Sequence, residues 1–176
     1  MVVSVGSDKL IDKGELYEIE KTIVHPNYNW NSHNHDVLVV KLRNSLKFSK
    51  KVQAIKMAGA NQKFEAGAFF QTMGFGDTES GHGSKDLLSV SVPYVDMEKC
   101  RSIYNMLMME NVIADDMICA GDSGIDSCQG DSGGPLVYKD TLVGIVSFGY
   151  HCGLLGVYAS VPSHRDFVDR VIQENS

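Results

Sequence analysis

The sequence predicts an all-β protein of the barrel or sandwich type. Six short apolar runs, at residues 2–5, 37–42, 68–74, 87–95, 136–138 and 142–148, are separated by segments rich in Gly, Asn, Asp and Ser. Short strands between such turn residues are typical of antiparallel sheets, whereas strands alternating with long helical patterns would indicate a parallel sheet. Residues 77–84 contain Gly81 and Gly83 and are expected to form an exposed loop.

Two helices are expected beside the strands. Asp96 is a suitable N-cap for a helix over residues 97–109, because its carboxylate can accept a hydrogen bond from an unpaired amide of the first turn. A second helix is predicted near the end of the chain, where residues 163–166 resemble a capping box. The apolar residues that follow have helical spacing and would form its buried face: Phe167, Val168, Val171 and Ile172.

The composition is that of an ordinary globular protein and excludes some classes of function. Of the 176 residues, 43% are hydrophobic and 22% are charged, and the formal net charge is −6. An acidic chain of this kind does not favour nucleic-acid binding, so we expect no nucleic-acid partner. Its apolar runs are too short to span a bilayer, so we expect no membrane partner either.

Residues 130–135 form the most informative segment, Gly-Asp-Ser-Gly-Gly-Pro. A serine hydroxyl becomes a useful nucleophile only when a neighbouring group positions it and accepts its proton. Glycines on both sides of Ser132 allow a sharp turn and the close approach of a substrate carbonyl. Such a turn can aim the amide N–H groups of Gly130 and Ser132 at one point and form an oxyanion hole.

The four cysteines, Cys100, Cys119, Cys128 and Cys152, predict two disulfides. Four cysteines allow three connectivities, and their number alone does not choose among them. A zinc site is disfavoured, because no Cys-x-x-Cys pair is present and the histidines are not spaced to complete one.

Several segments together resemble the catalytic domain of the trypsin/chymotrypsin family of serine proteases. Residues 126–135 resemble the nucleophile segment, and residues 34–42 resemble the segment with the catalytic aspartate. Further matches follow in the family's order at residues 23–28, 72–76, 117–121, 146–149 and 156–158. The resemblance implies a double antiparallel β-barrel with a C-terminal helix. Residues 1–60 would be the remaining strands of an incomplete first barrel, and residues 61–176 would form the second barrel with the nucleophile and primary pocket.

The resemblance also implies roles for individual residues. Ser132 would be the nucleophile, and Asp36 would orient and stabilise the catalytic imidazole. The amides of Gly130 and Ser132 would form the oxyanion hole. Asp131 would pair with the α-ammonium group that activating cleavage creates. The implied disulfides are Cys100–Cys119 and Cys128–Cys152.

The primary pocket would select Arg or Lys side chains. Asp126 lies six positions before the nucleophile, where trypsin-like members carry the carboxylate that pairs with a cationic side chain. Gly149 and Gly156 would leave the pocket open, although Phe148 replaces the usual Trp. The implied substrate-binding residues are Asp126, Ser127, Ser147, Phe148, Gly149 and Gly156. The expected partners are proteins or peptides with Arg or Lys and protease inhibitors, and the expected location is secreted, extracellular.

Two segments of the family are not found in the sequence. They are the Ala-Ala-His-Cys segment with the catalytic histidine and the mature amino terminus Ile-Val-Gly-Gly. We therefore expect a partial catalytic domain that lacks its general base, with exposed apolar strand faces and a tendency to associate. Six histidines are present and are expected to be surface or strand-end residues: His25, His33, His35, His82, His151 and His164. Whether His35 could replace the missing base is left open.

Two other functions are weighed against this one. A non-catalytic homologue that serves as a binding or regulatory module usually lacks the nucleophile or the aspartate, whereas Ser132 and Asp36 are both present. An esterase of another fold is disfavoured, because no strand, Gly-x-Ser-x-Gly and helix follow one another. We expect no cofactor and no metal; in particular, Ser7 stands where calcium-binding members have their first glutamate.

Overall fold

The computed structural model describes residues 1–12, 14–78, 80–107 and 111–175. Its ten strands are β1 Val2–Val5, β2 Glu15–Val24, β3 Leu38–Leu42, β4 Lys56–Met57, β5 Phe69–Gly74, β6 Leu88–Val95, β7 Met117–Ala120, β8 Pro135–Tyr138, β9 Thr141–Gly149 and β10 Gly156–Ser160. Its two helices are α1 Met97–Met106 and α2 Val161–Asn175. Two residues of the predicted first helix, Met108 and Met109, lie outside the described residues.

The strands form two sheets, and one of them closes on itself. Strands β1, β2 and β3 form an antiparallel three-stranded sheet. The other seven strands are ordered β10-β7-β6-β5-β8-β9-β4, and β10 also pairs with β9, so that β5 to β10 close into a six-stranded barrel. The predicted all-β, trypsin-like fold with a C-terminal helix is therefore confirmed, with one closed barrel and a second sheet of three strands. The predicted boundary between residues 60 and 61 lies after β4. Strand β4 is therefore on the N-terminal side of this boundary, although it pairs with β9 of the barrel.

The interior of the barrel is filled by every second side chain along its strands. In β5, Phe70 and Thr72 are buried while Phe69 and Gln71 are exposed, because successive side chains of a strand point to opposite faces. Gly144 lets β9 approach its neighbours closely, since a Cβ there would lie 3.1 Å from Cβ of Tyr158. The fully buried residues of this core include Phe70, Val92, Leu136, Val143 and Tyr158.

Helix α1 is fixed at its start and along its buried side. Asp96 caps it as predicted, and its carboxylate accepts a hydrogen bond from the Glu98 N–H at 2.8 Å. Cys100 forms a disulfide with Cys119 of β7. Tyr104 is fully buried and donates a hydrogen bond to the Leu155 carbonyl at 2.7 Å.

Helix α2 joins the two sheets. It begins two residues before the predicted capping box, because the Ser160 hydroxyl accepts the Ser163 N–H at 3.2 Å and so takes the capping role. Phe167 and Val171 are buried against Val37, which directly precedes β3. This contact positions Asp36, the residue directly before Val37, relative to the barrel.

One face of the three-stranded sheet is apolar and open to solvent. Val24 and Leu38 are directly opposed in the antiparallel register, and Val40 follows two positions later on the same face. These side chains are 54%, 49% and 38% exposed, respectively. Among the described residues, no helix is long and apolar enough to span a membrane.

Candidate active site

The loop before β8 that contains Ser132 (the nucleophile loop) is held by the carboxylate of Asp131. One oxygen of Asp131 accepts the Gly76 N–H at 2.8 Å, and the other accepts the Cys128 N–H at 3.0 Å. This approach requires glycine at position 76, because a Cβ there would lie 2.6 Å from Cγ of Asp131. The loop before β8 is therefore tied to the loop that follows β5.

The backbone turns sharply around Ser132. Gly130, two residues before Ser132, has φ +94°, in the region that favours glycine. The Gly134 N–H donates to the Asp131 carbonyl at 2.8 Å and closes a turn around Ser132. In the described part of the chain, no protein group accepts the amide N–H of Gly130 or of Ser132. Both donors are therefore available to an oxyanion.

Asp36 reaches the same site from the other sheet. It lies before β3, and its Oδ2 accepts a hydrogen bond from the Ser147 hydroxyl at 2.6 Å. Ser147 and Ser132 both line a cavity of about 220 Å³, together with Phe148. The fold thus brings Asp36, Ser147 and Ser132 to one place, although 111 positions separate the first two.

The histidines do not complete a triad. Among the described residues, none of the imidazoles forms a hydrogen bond to Ser132 or Asp36. His33 packs against Phe148 with 5.0 Å between ring centroids, and His151 lines the cavity that contains Ser132. His35, the residue weighed above as a replacement base, contacts Asp116 and His164 instead.

Asp126 lies beneath the two glycines of the pocket. A Cβ at Gly156 would lie 2.3 Å from its Oδ1, and a Cβ at Gly149 would lie 3.7 Å from its Oδ2. The carboxylate therefore approaches Gly156 this closely only because that residue lacks a side chain, whereas a Cβ at Gly149 would be in ordinary van der Waals contact with it. Burial raises the pKa of the Asp126 carboxyl to about 7, although the amide and the hydroxyl of Ser127 donate hydrogen bonds to Oδ1. Its Oδ2 is buried without a hydrogen-bond partner in the described residues.

Two neighbouring cavities meet at a disulfide. Asp126 and Asp131 line a cavity of about 410 Å³, whereas Ser127, Phe148 and Gly149 line the cavity of about 220 Å³ with Ser132. The bonded pair Cys128 and Cys152 lines both cavities. The cavity lined by Asp126 and the cavity lined by Ser132 are therefore neighbours that share this bridge as part of their walls. The two disulfides are the pairs that the resemblance implied.

One cluster of titratable side chains was not predicted from the sequence. His35, Asp116 and His164 bring two imidazole nitrogens and a carboxylate oxygen together. The first and last of these residues are 129 positions apart, so no local spacing could have indicated the group. Its only sequence signal is the number of histidines, each of which was expected to be a surface or strand-end residue.

Comparison with known proteins shows which family the chain resembles. The family model described as Trypsin matches residues 1–168. "Trypsin 5G1" of Aedes aegypti is 37% identical over 175 residues, which cover 96% of this chain and 65% of that protein. "Trypsin epsilon" of Drosophila erecta is 36% identical, with 98% and 68% covered, and the "Vitellin-degrading protease" of Bombyx mori is 36% identical, with 97% and 66% covered.

These similarities, with the closed barrel and the nucleophile loop, show that the chain belongs to the trypsin family of serine proteases. The chain spans about two thirds of the length of the curated relatives it matches.

Proposed function

We propose that this chain carries the nucleophile, the orienting carboxylate and the primary pocket of a secreted serine endopeptidase that cleaves after Arg or Lys. The observation that supports this most is the convergence of Ser132 and the Asp36–Ser147 pair on one cavity. Two disulfides are consistent with an oxidising, extracellular environment. The expected partners are proteins and peptides with Arg or Lys, and protease inhibitors that fill the same pocket.

The chemistry is acyl transfer. The Ser132 oxygen attacks the scissile carbonyl carbon while an imidazole accepts its proton, and the resulting oxyanion is bound by the amides of Gly130 and Ser132. The tetrahedral intermediate collapses with loss of the amine, which takes up the proton, and water then releases the acid from Ser132. Asp36 orients the imidazole and stabilises its charged form.

We further propose that the required imidazole is not one of the six in this sequence. None of them forms a hydrogen bond to Ser132 or Asp36 in the described residues, and His35 contacts Asp116 and His164. These 176 residues alone should then retain only the part of catalysis due to the oxyanion hole and binding, roughly 10³–10⁴-fold over water.

The specificity follows from Asp126. A cationic side chain that passes between Gly149 and Gly156 would meet a buried carboxylate oxygen that has no protein partner in the described residues. Pairing with Arg or Lys would satisfy this oxygen, whereas an apolar side chain would leave it unpaired.

Chemical rescue tests the proposal. Hydrolysis of lysine and leucine esters is measured with the purified chain while free imidazole is added to replace the missing base. We expect imidazole to accelerate the lysine ester with the native chain and with Ser123→Ala, a control for an exposed serine. Ser132→Ala should abolish the acceleration, Asp36→Asn should reduce it, and Asp126→Asn should remove the preference for lysine. Rescue that survives Ser132→Ala would refute the assignment of the nucleophile.

One observation favours a second candidate, a binding module without catalysis. It is the lack of an imidazole hydrogen-bonded to Ser132 in the described residues. Such a module would bind benzamidine or a lysine-containing peptide in the same pocket but would show no rescued turnover at any imidazole concentration.

A further inference from the structure

Three side chains from separate parts of the chain meet behind the candidate active site. His35 lies between β2 and β3, Asp116 lies just before β7, and His164 lies in the first turns of α2. The separations His35 Nδ1–His164 Nε2, His35 Nδ1–Asp116 Oδ2 and His164 Nε2–Asp116 Oδ2 are each 3.3 Å. The three atoms therefore form an equilateral triangle.

Neighbouring groups hold two of these three side chains, His164 and Asp116, in place. Nδ1 of His164 lies 2.7 Å from the Ser160 carbonyl oxygen, which can only accept a hydrogen bond. In the neutral ring the proton therefore lies on Nδ1, and Nε2 presents its lone pair to the other two atoms. The His35 backbone N–H donates to Asp116 Oδ2 at 2.7 Å and holds the carboxylate in place. Metal-ligating histidines and carboxylates commonly have such supporting hydrogen bonds.

From this geometry we infer that His35, Asp116 and His164 form a binding site for a divalent transition-metal ion of the Zn²⁺ class. In a tetrahedral site with bonds of about 2.0 Å, neighbouring ligand atoms lie about 3.3 Å apart, which is the side of the observed triangle. Two imidazoles and one carboxylate are a ligand set that suits zinc and similar ions. The fourth position is left for water. This inference departs from the sequence-based expectation of no metal.

The ordinary alternative is a hydrogen-bonded ion pair between a protonated histidine and Asp116. A good hydrogen bond between nitrogen and oxygen has a length of about 2.7–3.2 Å, and the two contacts of the histidines with Asp116, at 3.3 Å, are longer than that range. A proton can bridge only one pair of these atoms at a time, whereas one cation contacts all three.

Access and burial also suit an ion. The His164 side chain is 2% exposed and that of Asp116 is 14% exposed, so their positions are fixed by packing. The His35 side chain is 35% exposed, and it leaves a path for the ion from solvent. His25 stacks on His35 with 4.5 Å between ring centroids and limits the tilt of that ring.

A bound ion would act as a structural clamp next to the catalytic aspartate. It would link the loop before β3 to α2 and to the start of β7, and His35 directly precedes Asp36. An ion that binds the folded chain and not the unfolded chain stabilises the fold according to its concentration. The inference does not depend on peptidase activity, so the two can fail separately.

Titration of the chelator-treated full chain with Zn²⁺ alone and with Co²⁺ alone tests the site. We expect one equivalent of Zn²⁺ to bind and to raise Tm, and Co²⁺ to give the intense visible absorption of a tetrahedral complex. Asp116→Asn and His35→Asn should each weaken Zn²⁺ binding roughly tenfold or more. His82→Gln, which removes an exposed imidazole from a different loop, should leave it unchanged.

The variants are chosen so that a folding defect is not mistaken for loss of the site. His164 is kept because its ring is buried, and His35→Asn alters the most exposed of the three ligands. Circular dichroism of each chelator-treated variant must match that of the native chain. The inference is overturned if the native chain shows no Zn²⁺-dependent rise in Tm, if Asp116→Asn and His35→Asn bind Zn²⁺ as tightly as the native chain, or if His82→Gln binds it equally weakly.

Discussion

At the scale of single residues, Asp126 and Asp131 show how the same chemical group is used in opposite ways. Asp131 accepts two backbone hydrogen bonds and anchors the nucleophile loop. Asp126 is also largely enclosed, but one of its oxygens has no partner in the described residues. The chain itself satisfies the Asp131 carboxylate, whereas the unpaired oxygen of Asp126 could be satisfied by the cationic side chain that we propose as its ligand.

This difference predicts a pH dependence for the binding of cations in the pocket. Since burial raises the pKa of Asp126 to about 7, the carboxyl is largely neutral at about pH 6 and becomes charged by about pH 8. Only the charged form pairs with an amidinium, so the affinity for benzamidine should rise with pH across this range and then level off. Isothermal titration calorimetry at a series of pH values measures it, and binding should be accompanied by proton release near pH 7.

Asp126→Asn is the control for that titration. The amide cannot ionise, so this variant should bind benzamidine weakly and with no pH dependence between about pH 6 and about pH 8. An affinity that stays constant over this range in the native chain would contradict the raised pKa, and an Asp126→Asn variant that binds benzamidine as tightly as the native chain would show that Asp126 does not receive the cation.

At the scale of elements, the loop after β5 and the nucleophile loop depend on each other. Gly76→Ala would place a Cβ 2.6 Å from Cγ of Asp131, whereas a Cβ at Gly59 has no heavy atom within 4 Å. We expect Gly76→Ala to lower the free energy of unfolding by about 1–3 kcal/mol and to displace Ser132. Gly59→Ala should be neutral or slightly stabilising. Urea unfolding measures both, and equal effects would contradict this account of the anchor.

The two disulfides should differ in what their removal affects. Each closes a loop of similar length, with sequence separations of 19 and 24, so each should contribute about 3 kcal/mol to stability. Replacing Cys128 and Cys152 by alanine should also weaken benzamidine binding, because this pair lines both cavities. Replacing Cys100 and Cys119 should lower Tm with little change in affinity. Calorimetry on both double variants, compared at a temperature where each is folded, separates the two effects.

The strands also show which elements are predictable from periodicity. The six apolar runs correspond to β1, β3, β5, β6, β8 and β9 with ends that agree to within one residue. Strand β2 was not among these runs, because Glu15–Val24 carries charged residues at Glu15, Glu18, Glu20 and Lys21 and exposes most of its length. Its pairing with both neighbours, a tertiary property, makes it a strand.

The residues of the candidate site also fall into two groups: those that a short sequence motif identifies and those that only the fold brings together. Ser132, Gly130 and Asp131 lie within one short motif, so sequence alone was enough to select them. The His35–Asp116–His164 cluster joins residues 81 and 129 positions apart, and only folding brings them together. The position of Asp126 next to Gly149 and Gly156 likewise depends on how β9 and β10 pair.

At the scale of the whole molecule, the two halves differ in how well they bury their apolar residues. The closed barrel has no free edge between β5 and β10 and contains most of the fully buried side chains. The three-stranded sheet leaves Val24, Leu38 and Val40 exposed on one face. Exposed apolar residues grouped on a sheet face favour association between molecules.

We therefore predict that this chain self-associates as its concentration rises. In sedimentation velocity experiments, the sedimentation coefficient should increase as the protein concentration is raised from the low micromolar range. Leu38→Thr with Val40→Thr should weaken the association, since threonine keeps the strand propensity but reduces the apolar surface. Leu88→Thr, at a position of the barrel that is 46% exposed, is the matched control and should leave association unchanged. A native chain that remains monomeric at every concentration and unfolds in one sharp transition at high temperature would contradict this prediction, because its exposed sheet face would then be stable in water without a partner.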